Sequence, residues 1–340
     1  MKKQSIGAAL PVRKNYGKRP RLLSTLLLWG LAVGVLAVAP SRDAAAETRV
    51  TYKSAKSTSS YYQMAVQVAE AMKKGSDGAI IVTVEESQGS VQNVKEAAKR
   101  SGNYVFTSPP SLIGLARSGE KMFSDASPNY QEIRSLFVIP SLTMHFVVRS
   151  DREINSFADL AGKKLLTGKG SFGASEAAKY MELFGLAETV DLIDVELAAA
   201  VPALKNGQID GFATSGSYPA PNVLEAAAGV SIKLLDMSPE QVALTKRTKL
   251  VIPAGTYPGV DTDITTTSLP VGTYTLSSVD EDTAYQLTKT FWEQKAEMAQ
   301  DNPWWGGVSP DGLATLGAPL HPGALKYYQE AGISIPQALQ

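Results

Sequence analysis

The sequence predicts an α/β protein of two lobes, and three observations predict it. Strand-like and helix-like segments alternate along the chain. Of the 340 residues, the 294 that follow a basic and apolar leader are more than one compact core holds. The alternation restarts near residue 147, and the first pattern resumes near 252, so one unit is inserted in the other. The expected organisation is a leader over 1–46, a first lobe from 47–146 and 252–340, and a second lobe over 147–251.

The leader opens with Lys2, Lys3, Arg13, Lys14, Lys18, Arg19 and Arg21, continues with an apolar run from Leu26 to Ala39, and ends in Ala44-Ala45-Ala46. Basic, apolar and small residues in that order make a secretory signal. The apolar run is 14 residues, shorter than the roughly 20 that span a bilayer. Cleavage near Ala46 and a periplasmic location are therefore expected.

Arg49 to Ala55 reads as a strand, followed by a helix whose apolar stripe is Tyr62, Ala65, Val66, Ala69 and Met72. Ala79 to Glu85 is a second strand and Val91 to Arg100 a second helix. Tyr104 to Thr107 is a strand broken off by Pro109-Pro110, since proline has no N–H for a ladder. Ile133–Ile139 and His145–Arg149 are two more strands. In the second unit, strands are expected at 164–167, 190–195, 209–214 and 232–235, with helices after Gly173 and at 199–205. A Thr-rich strand near 265–277 and a long amphipathic helix over 281–298 return to the first unit, with two short helices after it. The sheets are expected to be mostly parallel, with crossings between lobes near 144–148 and 249–254.

Composition removes several function classes. The leader takes eight of the 33 Lys/Arg and one of the 33 Asp/Glu, leaving 25 against 32 and a net charge near −7. Such a surface argues against nucleic acid or an anionic membrane as partner. Only His145 and His321 are available, and there is no cysteine, so metal centres and nucleophile–base pairs are disfavoured. Neither a metal nor a cofactor is expected. His145 lies in an apolar strand and reads as a satisfied core residue. Asp261 and Asp263 lack the spacing of a calcium loop. Trp304-Trp305 reads either as a sugar platform or as surface packing.

Gly168-Lys169-Gly170-Ser171-Phe172-Gly173 follows a strand and opens a helix, with Asp191 and Asp194 about twenty residues on. Three readings stand: a dinucleotide fingerprint, a plain turn, or a cradle in which free N–H groups at a helix start hold a small anion. The anion reading makes Lys169, Gly170, Ser171 and Gly173 candidates, Lys169 adding a full charge. Ser57, Thr58, Ser59, Ser60 and Tyr61 occupy the matching position in the first lobe, as ligand donors or as ordinary helix caps. Gly89, Ser90 and Asn93 open the second helix. Thr107 and Ser108 end a strand, as do Ser215, Gly216 and Tyr218 in the second lobe. Ligands of open α/β sheets bind beyond the carboxyl ends of strands, where all these segments are expected.

Several segments also match a known family. Ile252-Pro253-Ala254-Gly255-Thr256-Tyr257-Pro258-Gly259 is the strongest, joined by Leu320-His321-Pro322-Gly323-Ala324 and Tyr327-Tyr328. Ser90-Val91-Gln92-Asn93 and the run from Ala203 to Gly211 fit as well. The chain resembles the TAXI family, solute receptors of one branch of the tripartite ATP-independent periplasmic (TRAP) transporters, over residues 48–334. The resemblance implies a type II periplasmic-binding-protein-like fold, two α/β lobes on a two-strand hinge. It implies a receptor that hands a small organic anion, such as glutamate or 2-oxoglutarate, to a fused membrane permease; the expectation is a non-enzymatic protein, with a monomer as the simpler state. The pocket departs from the family: Thr58-Ser59-Ser60 replaces Gly-Gly-Thr, Pro109-Pro110 follows Thr107-Ser108, and Lys169 enters the second loop. A periplasmic sensor domain on the same scaffold is the alternative.

Overall fold

The structure, a computed structural model, describes residues 47–125 and 127–340. The leader expected at 1–46 lies outside the described residues. The rest forms one ten-stranded sheet with helices on its faces.

The strands are β1 (Thr48–Lys53), β2 (Ile80–Glu85), β3 (Tyr104–Ser108), β4 (Ile133–Arg149), β5 (Lys164–Leu166), β6 (Asp191–Ile193), β7 (Gly211–Gly216), β8 (Ile232–Leu234), β9 (Thr248–Ile252) and β10 (Ile264–Leu276). Their order is β2-β1-β3-β10-β4-β7-β5-β6, with β8 beside β4 and β9 beside β10. Strands β1, β2 and β3 are mutually parallel, as are β5, β6 and β7. Between them every pairing is antiparallel, so the sheet is less parallel than the sequence predicts. The reason is that β4 and β10 are long enough, 17 and 13 residues, to serve both ends of the sheet. Each needs only to lie beside the other, and no crossover helix is required.

The segments Ile133–Ile139 and His145–Arg149, expected as separate strands, are one strand. Pro140 does not break it because the ladder to β10 shifts register there, between Leu269 and Val271, and the opposite strand carries Pro270. Two prolines without N–H groups sit together at the irregularity, where no ladder bond is needed. The second long strand is β10, while 249–254 ends the shorter β9.

Helices follow at α1 (Ser60–Gly75), α2 (Ser90–Ala97), α3 (Pro110–Ser118), α4 (Phe172–Leu183), α5 (Ala200–Lys205), α6 (Pro221–Gly229), α7 (Pro239–Thr245), α8 (Glu281–Asp301) and α9 (Pro322–Glu330). Four of them, α3, α6, α7 and α9, carry proline in the first turn, where its missing N–H costs nothing and its fixed φ suits the helix. Pro109-Pro110 therefore ends β3 and starts α3 at once. Helix α8 is capped by Asp280, whose side chain accepts from Thr283 N–H, and Glu281 and Asp282 favour its positive end. Trp305, expected on a surface loop, is fully buried against Phe291 and donates to Gln67.

Along β4 alternate residues face different cores. Phe146 and Val148 join the larger cluster, with Phe157 and Tyr180. Val147 joins a smaller one with Phe212, Val201 and Tyr257. That alternation fixes register, since a slip of one residue would exchange every contact.

Candidate functional site

The β1–β3 trio and the β5–β7 trio run in opposite directions, because three antiparallel steps separate them. Their carboxyl ends converge on one cleft. Ala55, Lys56 and Ser59 reach it from the loop after β1, Gln88, Gly89 and Ser90 from β2, and Pro109 from β3. Opposite them stand Thr167 to Lys169 and Ser171 to Gly173 after β5, Leu197 after β6, and Thr214 and Ser215 at the end of β7. Leu142 of β4 and Val271 of β10 make the floor.

Three helices, α1, α2 and α4, start at this cleft. Ser59 caps α1, its oxygen accepting from Tyr62 N–H at 3.2 Å, and Ser171 caps α4 by accepting from Ala174 N–H at 3.0 Å. Gly89 precedes α2 with φ 122° and provides no side-chain cap. The remaining first-turn N–H groups of each helix have no intrahelical acceptor, and the helix dipole makes these ends positive. Gly168 and Gly170, at φ 85° and 70°, turn the chain so that α4 begins here. Gly173 permits a close approach: a Cβ there would meet Ser215 Oγ at 2.5 Å.

The two walls touch. A Cβ on Gly89 would lie 3.6 Å from Ser171 Cα and Cβ. Gln88 Nε2 donates to Glu196 Oε1 at 2.7 Å, and Lys56 Nζ stands 3.2 Å from Glu196 Oε2. Deeper in, Ser217 N–H donates to Ser60 Oγ at 3.0 Å, Ser217 Oγ donates to Ser141 O at 2.8 Å, and Tyr61 OH donates to Pro140 O at 3.0 Å. Burial pushes the Tyr61 phenol up, so it stays a neutral donor.

Of the candidates read from the sequence, Ser59, Tyr61, Gly89, Ser90, Lys169, Ser171, Gly173 and Ser215 line one cavity. Ser57, Thr58, Ser60, Gly170 and Gly216 adjoin it in sequence without lining it. Ser57 N–H is held by Glu86 at 2.5 Å, and Ser60 is buried. Asn93, Thr107 and Ser108 are buried behind it. Asn93 Nδ2 donates to Ser54 O and Thr107 O, Thr107 Oγ1 to Tyr52 OH, and Ser108 Oγ to Pro109 O. Tyr218 lines a different groove with Pro219, Pro270 and Trp304.

Sequence reasoning did not find Lys56, Gln88, Thr167 or Thr214, each adjacent to a segment it did find. One residue toward the strand in each case reaches the cleft. Leu142, Val271 and Glu196 carry no local signal; they arrive by topology.

His145 sits behind the cleft and is saturated. Tyr257 OH donates to Nε2 at 2.8 Å while accepting from Ala220 N–H, and Nδ1 donates to Thr143 O at 3.1 Å. Burial lowers its pKa to about 4 and keeps the ring neutral. Among the described residues no three His, Asp or Glu gather as metal ligands, and no helix is long and apolar enough to cross a membrane. Leu197 Cβ would lie 3.0 Å from a Cβ on Gly168, and Gln88 Cβ 3.9 Å from one on Gly170.

The fold recurs in solved structures of low identity. The periplasmic binding protein BugD superposes with a TM-score of 0.51 at 15% identity, covering 85% of this chain and 99% of that one. MatC from Rhodopseudomonas palustris, solved with bound malate, gives 0.53 at 12%, covering 84% and 97%. A protein of Bordetella bronchiseptica RB50 gives 0.51 at 16%, covering 84% and 98%. These likenesses are of fold: α/β and periplasmic-binding-protein-like. The profile of the NMT1-like family matches residues 53–332, and the chain belongs to that family.

Proposed function

We propose that this protein is an extracytoplasmic solute receptor of the TAXI type, serving a TRAP transporter. It captures a small organic anion, a carboxylate such as glutamate or 2-oxoglutarate, in the periplasm and delivers it to a fused membrane permease without transforming it. The observation that carries this reading is the convergence of three helix starts, α1, α2 and α4, on one cleft fed by both ends of the sheet. Unpaired N–H groups at helix starts are ready-made anion sites, and the hydroxyls of Ser90, Thr167, Thr214 and Ser215 add donors on both walls. MatC, of the same fold, was solved with malate, itself a small carboxylate.

In this reading residues 47–146 with 252–340 and residues 147–251 act as two lobes, and β4 and β10 are the hinge. A ligand that touches both walls favours the closed state, which the permease then recognises. A thermal-shift screen of the purified protein against small carboxylates tests it, because a ligand that binds only the native state raises the unfolding midpoint. A midpoint raised by several degrees with at least one carboxylate is expected. No shift across aliphatic, oxo, hydroxy and amino acids would remove the anion reading.

A further inference from the structure

Resting on the receptor reading above, we infer that the cleft selects a small carboxylate without an ammonium group, so that an oxo or other ammonium-free acid is bound in preference to the amino acid of the same skeleton. The charged side chains that line the cavity are Lys56 and Lys169, and among its described lining residues there is no Asp or Glu. Two carboxylates stand beside it, and both are engaged. Glu196 accepts from Gln88 and faces Lys56, at 2.7 and 3.2 Å. Glu86 accepts from Ser57 N–H at 2.5 Å, and the hydrogen bonds from Ser57, with Lys56 nearby, hold it below the usual carboxylate range.

Lys169 is different. Its side chain makes no hydrogen bond or ion pair among the described residues, and its main chain is fixed by donating to Val195 O at 2.7 Å. It is the one lining cation whose charge is not matched by a neighbouring carboxylate, and it stands on the same turn as the start of α4. An ammonium group placed in this cavity would face positive helix ends and Lys169 with no carboxylate among the described lining residues to pair with it. Ser59 and Ser171, two hydroxyl oxygens that could accept from it, already accept from Tyr62 and Ala174 N–H. The apolar lining, Ala55, Pro109, Leu142, Phe172, Leu197 and Val271, is spread over both walls and the floor, which suits carbon rather than a second polar head. The approach of Gly89 to Ser171 closes the space to a compact body.

The test is titration calorimetry of the full protein with matched pairs: 4-methyl-2-oxopentanoate and leucine, 2-oxobutanoate and 2-aminobutanoate, 2-oxoglutarate and glutamate. In the pair that binds most tightly, the oxo acid is expected to bind at least tenfold tighter than its amino partner. The exposed substitution Lys169→Glu should then narrow that gap several-fold. An amino acid that equals or exceeds its oxo partner overturns this inference while leaving the anion receptor standing. A gap unchanged in Lys169→Glu overturns its electrostatic basis. Silence from every member of all three pairs removes both the inference and the reading beneath it.

Discussion

The loop after β1 and the loop after β5 face each other across the cleft, and each runs from a strand into a serine-capped helix. In the first loop the polar atoms are turned inward. Ser54 donates to Tyr61 O, Ser60 accepts from Ser217, Tyr61 donates to Pro140 O, and Ser57 is held by Glu86. In the second, glycines make the turn, and the side chain of Lys169 stays exposed and unbonded. The same residue chemistry at matching positions thus divides into an anchored wall and an available one. Hydroxyl-rich loops are ambiguous in sequence because a serine oxygen that caps or bridges cannot be told from one that waits for a ligand.

The largest expected effect tests how far the anchoring extends behind the cleft, through the His145–Tyr257 pair. A histidine kept neutral when folded, with its pKa lowered from 6.5 to about 4, makes the unfolded state bind more protons between those values. Stability should therefore be fully present above pH 6.5 and fall by about 3 kcal/mol as pH drops to about 4. Denaturant titrations across that range should show a shallower slope in His145→Gln. An identical slope in the variant would place the loss elsewhere.

Next in size is the bridge between the walls. Ser60→Ala leaves the buried Ser217 N–H without a partner and should cost about 1–3 kcal/mol. Gly216→Ala should cost a similar amount, since a Cβ there would meet Ser60 Oγ at 2.7 Å. The double variant should lose less than the sum, because removing the hydroxyl at position 60 vacates the space that the added methyl at position 216 needs. Strict additivity in urea unfolding would argue that the two do not touch.

A smaller effect separates the walls directly. Ser59→Ala and Ser171→Ala each remove a helix cap and should cost about 1 kcal/mol. Lys169→Ala should leave stability within about 0.5 kcal/mol, as a surface change, yet weaken anion binding about tenfold. If Lys169→Ala bound as the parent does, the available wall would lose its charge argument. Also small in stability is Glu196→Ala, whose exposed contacts to Lys56 and Gln88 are worth less than about 1 kcal/mol. Its effect should appear as faster ligand release in stopped-flow, since the side chain ties the two walls together.

Much of the fold was legible because strand and helix periods differ, and the alternation from Arg49 to Thr214 displays both. What was hidden has identifiable causes. Pro109-Pro110 read as a break, although proline in a first turn also starts helices, so α3 went unseen; α6 and α7, which also open on proline, were not read from the sequence. Pro140 read as the end of a strand because only the register shift opposite Pro270 shows that no bond is lost. At the site, the glycine turn and the serine caps announced themselves, since positive φ and capping leave residue signatures. Leu142, Val271 and Glu196 could not, because they reach the cleft through the pairing of β4 with β10 and the closing of two walls. Asn93 and Thr107 looked available for the opposite reason: their side chains bond to main chain and to Tyr52, and burial has no local sign in a polar residue.

The central claim is that one small anion is held by both walls at once. Hydrogen exchange measured by mass spectrometry, with and without a carboxylate found in the screen, addresses it most directly. Slower exchange is expected in 54–62, 86–92 and 168–174 together, with Trp304 and the groove around Tyr218 unchanged. Protection confined to that groove, or to one wall alone, would contradict the account.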